Sequence, residues 1–526
     1  MALPVHFIGA GEGLPPGGAE SLGGKACNLA RMAAAGLPVP PAFVLPTAWC
    51  RALRDGSADP AAVAAALNSG IDWLEAATGL GFGSARRPLL VSVRSGAAVS
   101  MPGMLETVLD VGLNQAGVEG LLRLTGNPRL AWDSYRRLLQ GYAEVVQGLP
   151  AAPFDELVAA SLAGAEVPSE RELDHRALRG LAMAMLERFR ALAGHPFPAE
   201  PRAQLLAAVL AVFRSWDAPK AATYRRLRGL GDAAGTAVTV QAMVFGNAGG
   251  ASGAGVGFTR DPATGERGLY VDFVFNGQGE DVVAGRRATD GAARLARMLP
   301  GVQAQLEAMC RTLEGLFGDA QDFEFTLQSG VLWLLQTRSA KRTPWAALRI
   351  AVDLVEEGLL SPAEALRLLD GVDLATVVRT SFADPGPVLA RAEVAGVGVA
   401  SGRIALDSEA AARLARSGPV ILVRQETVTE DIAGLACAAG ILTATGGRTS
   451  HAAVVARQLG RVCLVACADL AIDLAHRICR IGGRQFAEGE PISLDGNAGT
   501  VHAGWQAAVA ESPARELAAI AAWKHA

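Results

Sequence analysis

The chain has 526 residues, of which half are apolar and 5% aromatic, and its formal net charge is −4. A single core stops growing near ~250–300 residues, so we expect roughly two to four domains, and the apolar content excludes a disordered chain. Without an excess of basic residues, no nucleic-acid surface is expected. Seven scattered cysteines without paired spacing indicate free thiols, and neither a signal peptide nor a membrane span is evident, so we expect a cytoplasmic protein.

The first part of the chain mixes short β-like runs with long Ala/Leu-rich helical stretches. Residues 89–94, 237–244 and 268–275 are strand candidates, whereas residues 116–230 have helical periodicity. The pattern therefore predicts one large α/β domain over residues 1–340, with a helical insertion at about 116–230.

A β-hairpin is predicted at residues 322–336, where Ser329-Gly330 separates two apolar runs. Asp322, Glu324 and Gln336 have period-two spacing, so they can share one face of the hairpin. Oxygen ligands from adjacent strands suit Mg²⁺ that bridges the phosphates of a nucleotide. The alternative is the solvated face of an antiparallel pair.

Glycines and cations supply the other candidate phosphate contacts. The run 249–257 contains five glycines and follows a strand, so it is a candidate phosphate loop, although a plain hairpin loop has the same composition. Arg338 follows the hairpin and can bind a phosphate with two hydrogen bonds. Lys25 and Arg94 offer further positive charge, with ordinary surface placement as the alternative.

The second part of the chain has a different pattern of apolar and turn-forming residues. Residues 341–388 are predicted to be a helical linker, in which Ser361-Pro362-Ala363-Glu364 forms a capping box. Short Val/Ile/Gly runs then predict a small α/β domain over residues 389–505, and residues 506–526 are predicted to be one Ala-rich helix.

His451 follows Gly446-Gly447-Arg448-Thr449-Ser450 and stands at the predicted start of a helix. Thr449 or Ser450 can cap this helix, and the free amides of its first turn favour an anion bonded to the imidazole. The run 440–444 is predicted to be a buried strand that leads into the glycine turn. The pattern thus indicates a phosphohistidine, and the alternative is a histidine that merely begins a core helix.

Long motifs along the chain resemble the pyruvate, phosphate dikinase family. They include VSVRSGAAVSMPGMLETVLDVGLN at 91–114, DSYRR at 133–137, FRSWDAPKA at 213–221, VFGNAGGASGAGVGFTRDPATGE at 244–266, NGQGEDVVAG at 276–285, QDFEFTLQSGVLWLLQTRSAKRT at 321–343 and GGRTSHAAVVARQLG at 446–460. The SMPGM segment is more similar to the dikinase than to phosphoenolpyruvate synthase. The resemblance implies an α/β multidomain fold, with an ATP-grasp-type domain, a helical linker and a swivelling β/β/α phosphohistidine domain.

The resemblance also implies roles for individual residues. His451 would be the covalent carrier, Arg338 would stabilise the transferred charge, and Thr449 matches a regulatory phosphorylation position. Mg²⁺ would be held by Glu324 and Gln336, together with Asp322. ATP would contact Lys25, Arg94, Arg136 or Arg137, Gln241, Gly253, Gly255, Glu324 and Gln336.

In this family ATP pyrophosphorylates the histidine and leaves as AMP, phosphate removes the terminal phosphoryl group as pyrophosphate, and the phosphohistidine then reacts with pyruvate. Arg448 stands where the family usually has Met, which adds positive charge beside the carrier. The sequence ends at Ala526, about where the family's phosphoenolpyruvate/pyruvate barrel begins. We therefore expect the acceptor to be bound by a separate barrel protein, and a homodimer is one assembly that the family allows.

Two alternative functions remain at this point. The chain is either a dikinase of another small metabolite, or a non-catalytic nucleotide-binding paralogue with a regulatory role. The first alternative lacks a visible substrate domain. The second is disfavoured by the intact Lys25, Arg94, Glu324, Gln336 and His451.

Overall fold

The computed structural model describes residues 3–9, 11–14, 16–99, 101, 106–227, 231, 235–279, 282, 291–427, 431–447 and 450–525. The chain divides into two compact units, with residues 1–252 and 326–337 in unit 1 and residues 253–325 and 338–526 in unit 2. Within the described ranges, no helix combines the length and the apolar character that crossing a bilayer requires. All seven cysteines are free, as predicted.

Unit 1 combines an antiparallel sheet with a helical insertion. The sheet has the order β1-β2-β7-β5-β6. The strands are β1 (His6–Ile8), β2 (Ala42–Leu45), β3 (Gly81–Phe82), β4 (Pro88–Leu89), β5 (Val91–Gly96), β6 (Thr107–Val111) and β7 (Ala237–Ala242). The helices are α1 (Gly18–Leu22), α2 (Gly24–Ala34), α3 (Thr47–Asp55), α4 (Pro60–Thr78), α5 (Gln115–Thr125), α6 (Pro128–Val145), α7 (Ala152–Ala165), α8 (His175–Ala193), α9 (Pro201–Ser215) and α10 (Pro219–Leu227).

The helices of the insertion begin where the sequence provides caps. The side chains of Asn114 and Asn127 accept the Gly117 and Leu130 amides at the starts of α5 and α6. Such caps satisfy amide groups that have no partner within the helix. The helices then pack through buried aromatic rings, one of which is that of Tyr142. Burial raises the pKa of the Tyr142 hydroxyl to about 12. The helical prediction for residues 116–230 is confirmed over the described part of that range.

Unit 2 holds the rest of the elements. In chain order they are β8 (Gly253–Arg260), β9 (Arg267–Phe275), α11 (Gly291–Met298), α12 (Pro300–Phe317), β10 (Gln321–Gln328), β11 (Val331–Ser339), α13 (Pro344–Glu356), α14 (Pro362–Leu368), β12 (Arg379–Phe382), β13 (Val388–Arg391), β14 (Glu393–Gly396), β15 (Val399–Ala405), α15 (Ser408–Ala415), β16 (Val420–Arg424), α16 (Ile432–Cys437), β17 (Gly440–Thr443), α17 (His451–Gln458), β18 (Val462–Val465), β19 (Leu470–Asp473), β20 (Ile478–Ile481), β21 (Arg484–Ala487), β22 (Pro491–Asp495), β23 (Thr500–Ala503), β24 (Ala508–Glu511) and α18 (Ala514–His525). The strands β10 and β11 each have residues in both units. A four-stranded sheet has the order β11-β10-β8-β9.

Alternating glycines on β8 form a flat surface for aromatic rings. Gly253, Gly255 and Gly257 share one face of the strand because their spacing is two. A Cβ at these positions would lie 2.2 Å from the ring of Phe273, 2.4 Å from that of Phe325 and 2.4 Å from that of Phe323, respectively. The prediction that 249–257 is a loop is therefore wrong for its second half, which forms a strand because glycine lets these rings lie against the backbone.

Alanine at Gly255 is expected to lower the free energy of unfolding by about 1–3 kcal/mol, because its Cβ would overlap the Phe325 ring. Gly315→Ala is the matched control, since Gly315 is exposed within α12 and has no atom within 4 Å of the added Cβ. That variant is expected to gain roughly 0.5–1 kcal/mol. Urea unfolding of both variants is the measurement, and shifts of the same sign would contradict the packing explanation.

The linker is joined to β8 by a buried arginine. Arg260 is fully buried, and its Nε and Nη2 donate to Glu314 of α12, each at 2.9 Å. Nη2 also donates to Glu357, at the end of α13, at 2.9 Å. Burial works to lower the pKa of Arg260, but hydrogen bonding and charge from Glu314 and Glu357 raise it. The arginine thus stays charged and ties both helices to β8.

The eight-stranded sheet, which has the order β13-β23-β22-β15-β16-β17-β18-β14, organises the C-terminal region. Its strands β15 to β18 are parallel and apolar, and both of their faces are covered. Residues of the three-stranded sheet β19-β20-β21 pack on one face, and residues of α15, α16 and α17 pack on the other. This layering agrees with the expected β/β/α architecture.

Most predicted elements are confirmed, including the Ser329-Gly330 turn, where both φ angles are positive, and the Ser361 capping box. The C-terminal helix is shorter than predicted. It begins at Ala514, because residues 508–511 instead pair with β12 as strand β24. The expected α/β multidomain class is confirmed, whereas the domain boundaries at 340, 388 and 505 stay predictions.

Candidate active site

In unit 1, two side chains hold the backbone on either side of Gln336 in β11. Arg94 of β5 donates from Nη1 to the Leu335 carbonyl at 3.5 Å, and Asn28 of α2 donates from Nδ2 to the Thr337 carbonyl at 2.9 Å. Gln336 itself is 7% exposed. Sequence reasoning did not assign Asn28 a role, although it lies one helical turn after Lys25, and that spacing was the available signal.

The start of α2 is held against the end of β5 by a close backbone approach. A Cβ on Gly23 would lie 2.2 Å from the Gly96 carbonyl oxygen, and φ of Gly23 is 76°. The amide of Gly24 donates to the Ala97 carbonyl at 2.9 Å. Only glycine fits at position 23, so two predicted cations, Lys25 and Arg94, are carried by elements that meet.

In unit 2, Arg338 and Asp322 form an ion pair, with Nε and Nη2 of the arginine each 2.9 Å from the same carboxylate oxygen. Asp322 is buried and Arg338 is exposed. Burial works to lower the pKa of Arg338, but the Asp322 charge and hydrogen bond, with the charge of Glu324, outweigh it and raise the pKa. The guanidinium is thus permanently charged and oriented next to two carboxylates.

The donor chemistry around the hairpin fits a hard divalent cation. Because Phe323 and Phe325 pack on the glycine face of β8, Asp322 and Glu324 point from the opposite face of β10. Carboxylate oxygens and the Gln336 amide oxygen are the ligand types that Mg²⁺ prefers. Among the described residues no cluster of three or more His, Cys, Asp or Glu forms a metal site, so a protein-only cage is not seen there. The carboxylate oxygens of Asp322 and Glu324 in unit 2 suit an ion that completes its coordination with phosphate and water.

The other predicted ATP contacts have structural partners of their own. Gln241 is 2% exposed, and its Nε2 donates to the Pro40 carbonyl at 3.2 Å. Gly253 and Gly255 lie in β8 beneath phenyl rings, as described above. Packing thus accounts for these glycines, and contact with ATP at all three residues stays a prediction.

Arg136 belongs to a buried charge cluster in unit 1. Its Nη2 lies 2.8 Å from Asp133 and 2.6 Å from Glu170, and Asp133 also accepts from Arg137 at 3.1 Å and from Asn247 at 3.3 Å. Burial works to raise the pKa of Asp133, but the charges of Arg137 and Arg136 outweigh it and hold this pKa well below its usual range. These contacts weigh against the prediction that Arg136 binds ATP, and they indicate a role in packing the insertion.

Replacing Asp133 with asparagine is expected to lower the unfolding free energy at pH 7 by about 3–5 kcal/mol, since it removes the buried carboxylate charge that accepts from both Arg136 and Arg137. The pKa of Asp133 is depressed in the folded chain, so its contribution is complete above the unfolded pKa of about 4 and declines as the pH falls below it. Urea unfolding at pH 7 and at about pH 3 measures the free energies of unfolding of wild type and variant. The difference between these two free energies should become smaller on acidification. The control is Asp72→Asn, because Asp72 is exposed. A difference in unfolding free energy between wild type and Asp133→Asn that grows in acid would contradict the depressed pKa of Asp133.

His451 is the first residue of α17, which follows the carboxyl end of the buried strand β17. Gly446 has a φ of 99°, and Ser450 accepts the Ala453 amide through Oγ at 3.4 Å, so Ser450 caps the helix. The predicted strand–glycine turn–helix arrangement is confirmed. The side chain of His451, and all of Arg448 and Thr449, lie outside the residues that the structure describes.

Comparisons with known proteins show which families this chain resembles. Residues 60–304 match the family described as "Pyruvate phosphate dikinase, AMP/ATP-binding domain", and residues 417–499 match "PEP-utilising enzyme, mobile domain". The chain is 44% identical over 494 residues to the pyruvate, phosphate dikinase of Clostridium symbiosum. The aligned region covers 92% of this chain and 56% of that protein. It is 43% identical over 524 residues to the enzyme of Rhizobium meliloti (strain 1021), covering 95% and 58%, respectively. The chain thus spans little more than half the length of these curated relatives, and the ATP-grasp-type and mobile-domain folds are confirmed.

Proposed function

Because the chain belongs to the pyruvate, phosphate dikinase family, we propose that it is an ATP-dependent phosphotransferase whose covalent carrier is His451. The observation that carries the proposal is the placement of His451 at the start of a Ser450-capped helix behind a buried parallel strand. Amides at such a helix start and the positive end of its dipole stabilise a phosphoryl group on the imidazole.

The reaction begins with a neutral imidazole nitrogen, which is nucleophilic near pH 7. It attacks the β-phosphorus of ATP, so a P–N bond forms, the bond to the oxygen that bridges to the α-phosphorus breaks, and AMP leaves. Inorganic phosphate then attacks the terminal phosphorus and departs as pyrophosphate, which leaves a monophosphorylated histidine. The phosphoryl group then passes from the histidine to pyruvate or another acceptor.

The described residues suit this chemistry by their charge and donor types. Lys25 and Arg94 bind the ATP phosphates, and Arg338, fixed by Asp322, stabilises the charge that develops on the transferred group. Glu324 and Gln336, with Asp322, hold Mg²⁺, which neutralises phosphate oxygens when bound. Phosphorylation of Thr449 would place a second anion beside His451 and inhibit the carrier.

The test is incubation of the chain with Mg²⁺ and ATP labelled at the β-phosphate. The expected result is protein-bound label that is lost in acid and kept in base, together with AMP as the nucleotide product. Addition of inorganic phosphate should release pyrophosphate and leave the β-label on the protein. ADP as the product would contradict the dikinase reaction, and absence of label would contradict the carrier itself.

A further inference from the structure

A cavity of about 660 Å³ lies in unit 2 between the linker and the eight-stranded sheet. Its walls come from the start of α13, residues 371–380, the turn between β14 and β15, and residues 460–462. Binding sites for small organic molecules commonly have ~300–1,000 Å³. We refer to it as the linker cavity.

The linker cavity is distinct from the carrier site. Val399 begins β15, Ala439 directly precedes β17 and Arg461 directly precedes β18, and all three line the cavity. The cavity therefore lies at the amino ends of the parallel strands. His451 follows the carboxyl end of β17. A strand of four residues spans about 13 Å, so a ligand in this cavity would not be in contact with the carrier position.

Two arginines in the wall lack acidic partners. Within the described ranges neither Arg379 nor Arg461 forms an ion pair: Arg379 donates from Nε to Asn497 at 2.7 Å, and Arg461 donates from Nη2 to the Ala436 carbonyl at 3.2 Å. The Nε–H of Arg461 is buried and makes no hydrogen bond to any described residue. Because that atom is closed to solvent, a ligand in the cavity would be bound through the other guanidinium N–H groups, which form strong hydrogen bonds to a charged acceptor.

The acidic residue in the wall does not neutralise these cations. Asp373 is exposed, and its carboxylate accepts the Ala375 amide at 3.1 Å, within the turn that follows it. With two arginines and one aspartate, the wall keeps a positive charge. An anionic group is therefore the complement that this part of the cavity requires.

The rest of the wall is mainly apolar. Trp345, Val377, Val399 and Val462 contribute to it, and hydroxyls come from Thr380 and Ser401. Apolar surface with a few convergent polar groups is typical of sites that bind an organic molecule rather than a bare inorganic ion. The wall thus fits a ligand with an apolar body and an anionic end.

We propose that the linker cavity is a binding site for a small organic anion, in which Arg379 and Arg461 bind a phosphate or carboxylate and the valine-rich wall covers the apolar body. This inference goes beyond the proposed phosphotransfer and is independent of it, since binding is measured without turnover. Phosphate and carboxylate share the chemistry that two guanidinium groups recognise.

Calorimetric titration with phenyl phosphate, phenylacetate and neutral benzyl alcohol tests the proposal. The titrations are run with the nucleotide site saturated by adenosine 5′-(α,β-methylene)triphosphate, whose bridge between the α- and β-phosphorus atoms cannot be broken by the proposed reaction. At least one anion is expected to bind, the stronger one identifies the preferred group, and benzyl alcohol should bind at least tenfold more weakly. Equal binding of the neutral compound, or no binding of either anion at concentrations on the order of 10 mM, would overturn the assignment.

The variants Arg379→Gln and Arg461→Gln are each expected to weaken anion binding at least tenfold, and Val399→Trp should weaken it by placing an indole ring in part of the cavity. Arg416→Gln is the matched control, because Arg416 is an exposed arginine on the same domain and outside the cavity wall. Circular dichroism confirms that each variant is folded. Binding within twofold of wild type in both cavity-arginine variants would rule out this site.

Discussion

Replacement of His451 by alanine is expected to abolish the acid-labile label from ATP completely. The imidazole is the nucleophile in the proposed reaction, and a methyl group in its place has no lone pair to form the P–N bond. The measurement is protein-bound radioactivity after incubation with β-labelled ATP and Mg²⁺, with acid and base treatments in parallel. AMP production should cease in the same sample, because it depends on the same bond.

His476→Ala is the matched control for this experiment. His476 lies on the same domain but is exposed, and its Nδ1 is 2.8 Å from Asp473 in a local pair. That variant should keep the full label. Label that persists in His451→Ala assigns the carrier to another residue, and loss of label in both variants would indicate a general defect of the domain rather than loss of a nucleophile.

Local patterns in the sequence were sufficient to predict many of the helices, strands and turns. The Ser361 capping box, the Ser329-Gly330 hairpin turn and the strand before His451 each depend on neighbours within a few residues. Such short-range patterns act through backbone conformation and capping, so a sequence contains nearly all the information needed. The start of α17 was predictable for the same reason.

The glycines of β8 show where sequence reasoning fails. Glycine-rich runs occur both in phosphate loops and in strands that lie under large rings. The choice depends on Phe273, Phe323 and Phe325, which are distant in sequence from Gly253 and Gly255. Period-two spacing of the glycines was a signal for a strand face, but the rings that cover it become apparent only in three dimensions.

The candidate site likewise has some contacts that the sequence predicts and others that only the fold reveals. The pairing of Arg136 with Asp133 follows from helical spacing of three, whereas the contact with Glu170 requires the fold of the insertion. The anchoring of β11 by Asn28 and Arg94 joins residues more than 200 positions apart. The sequence therefore predicts which charges are available, but not which of them are already engaged in packing.

Arg338→Gln is expected to slow the phosphorylation of His451 by about 10³-fold, as when a charge-stabilising arginine is lost in phosphoryl transfer. The free energy of unfolding should fall by roughly 1–2 kcal/mol. Asp322 is only 8% exposed and loses this partner, but the Arg338 side chain is 45% exposed, so the pair is partly solvated. Single-turnover labelling with β-labelled ATP measures the rate, and urea unfolding measures the stability.

A second Arg–Asp pair in unit 2 provides a control in which stability, and not the reaction rate, is expected to change. Arg342 lies 2.5 Å from Asp319, and the exposed fractions of these side chains are only 11% and 7%. Because this pair is mostly buried, Arg342→Gln should lower the unfolding free energy by about 3 kcal/mol, yet leave the labelling rate of the folded protein near that of wild type. The two variants thus separate charge stabilisation in the reaction from charge pairing in the fold. If Arg338→Gln lowers stability and leaves the rate unchanged, the Arg338–Asp322 pair is structural and another cation stabilises the transferred phosphoryl group.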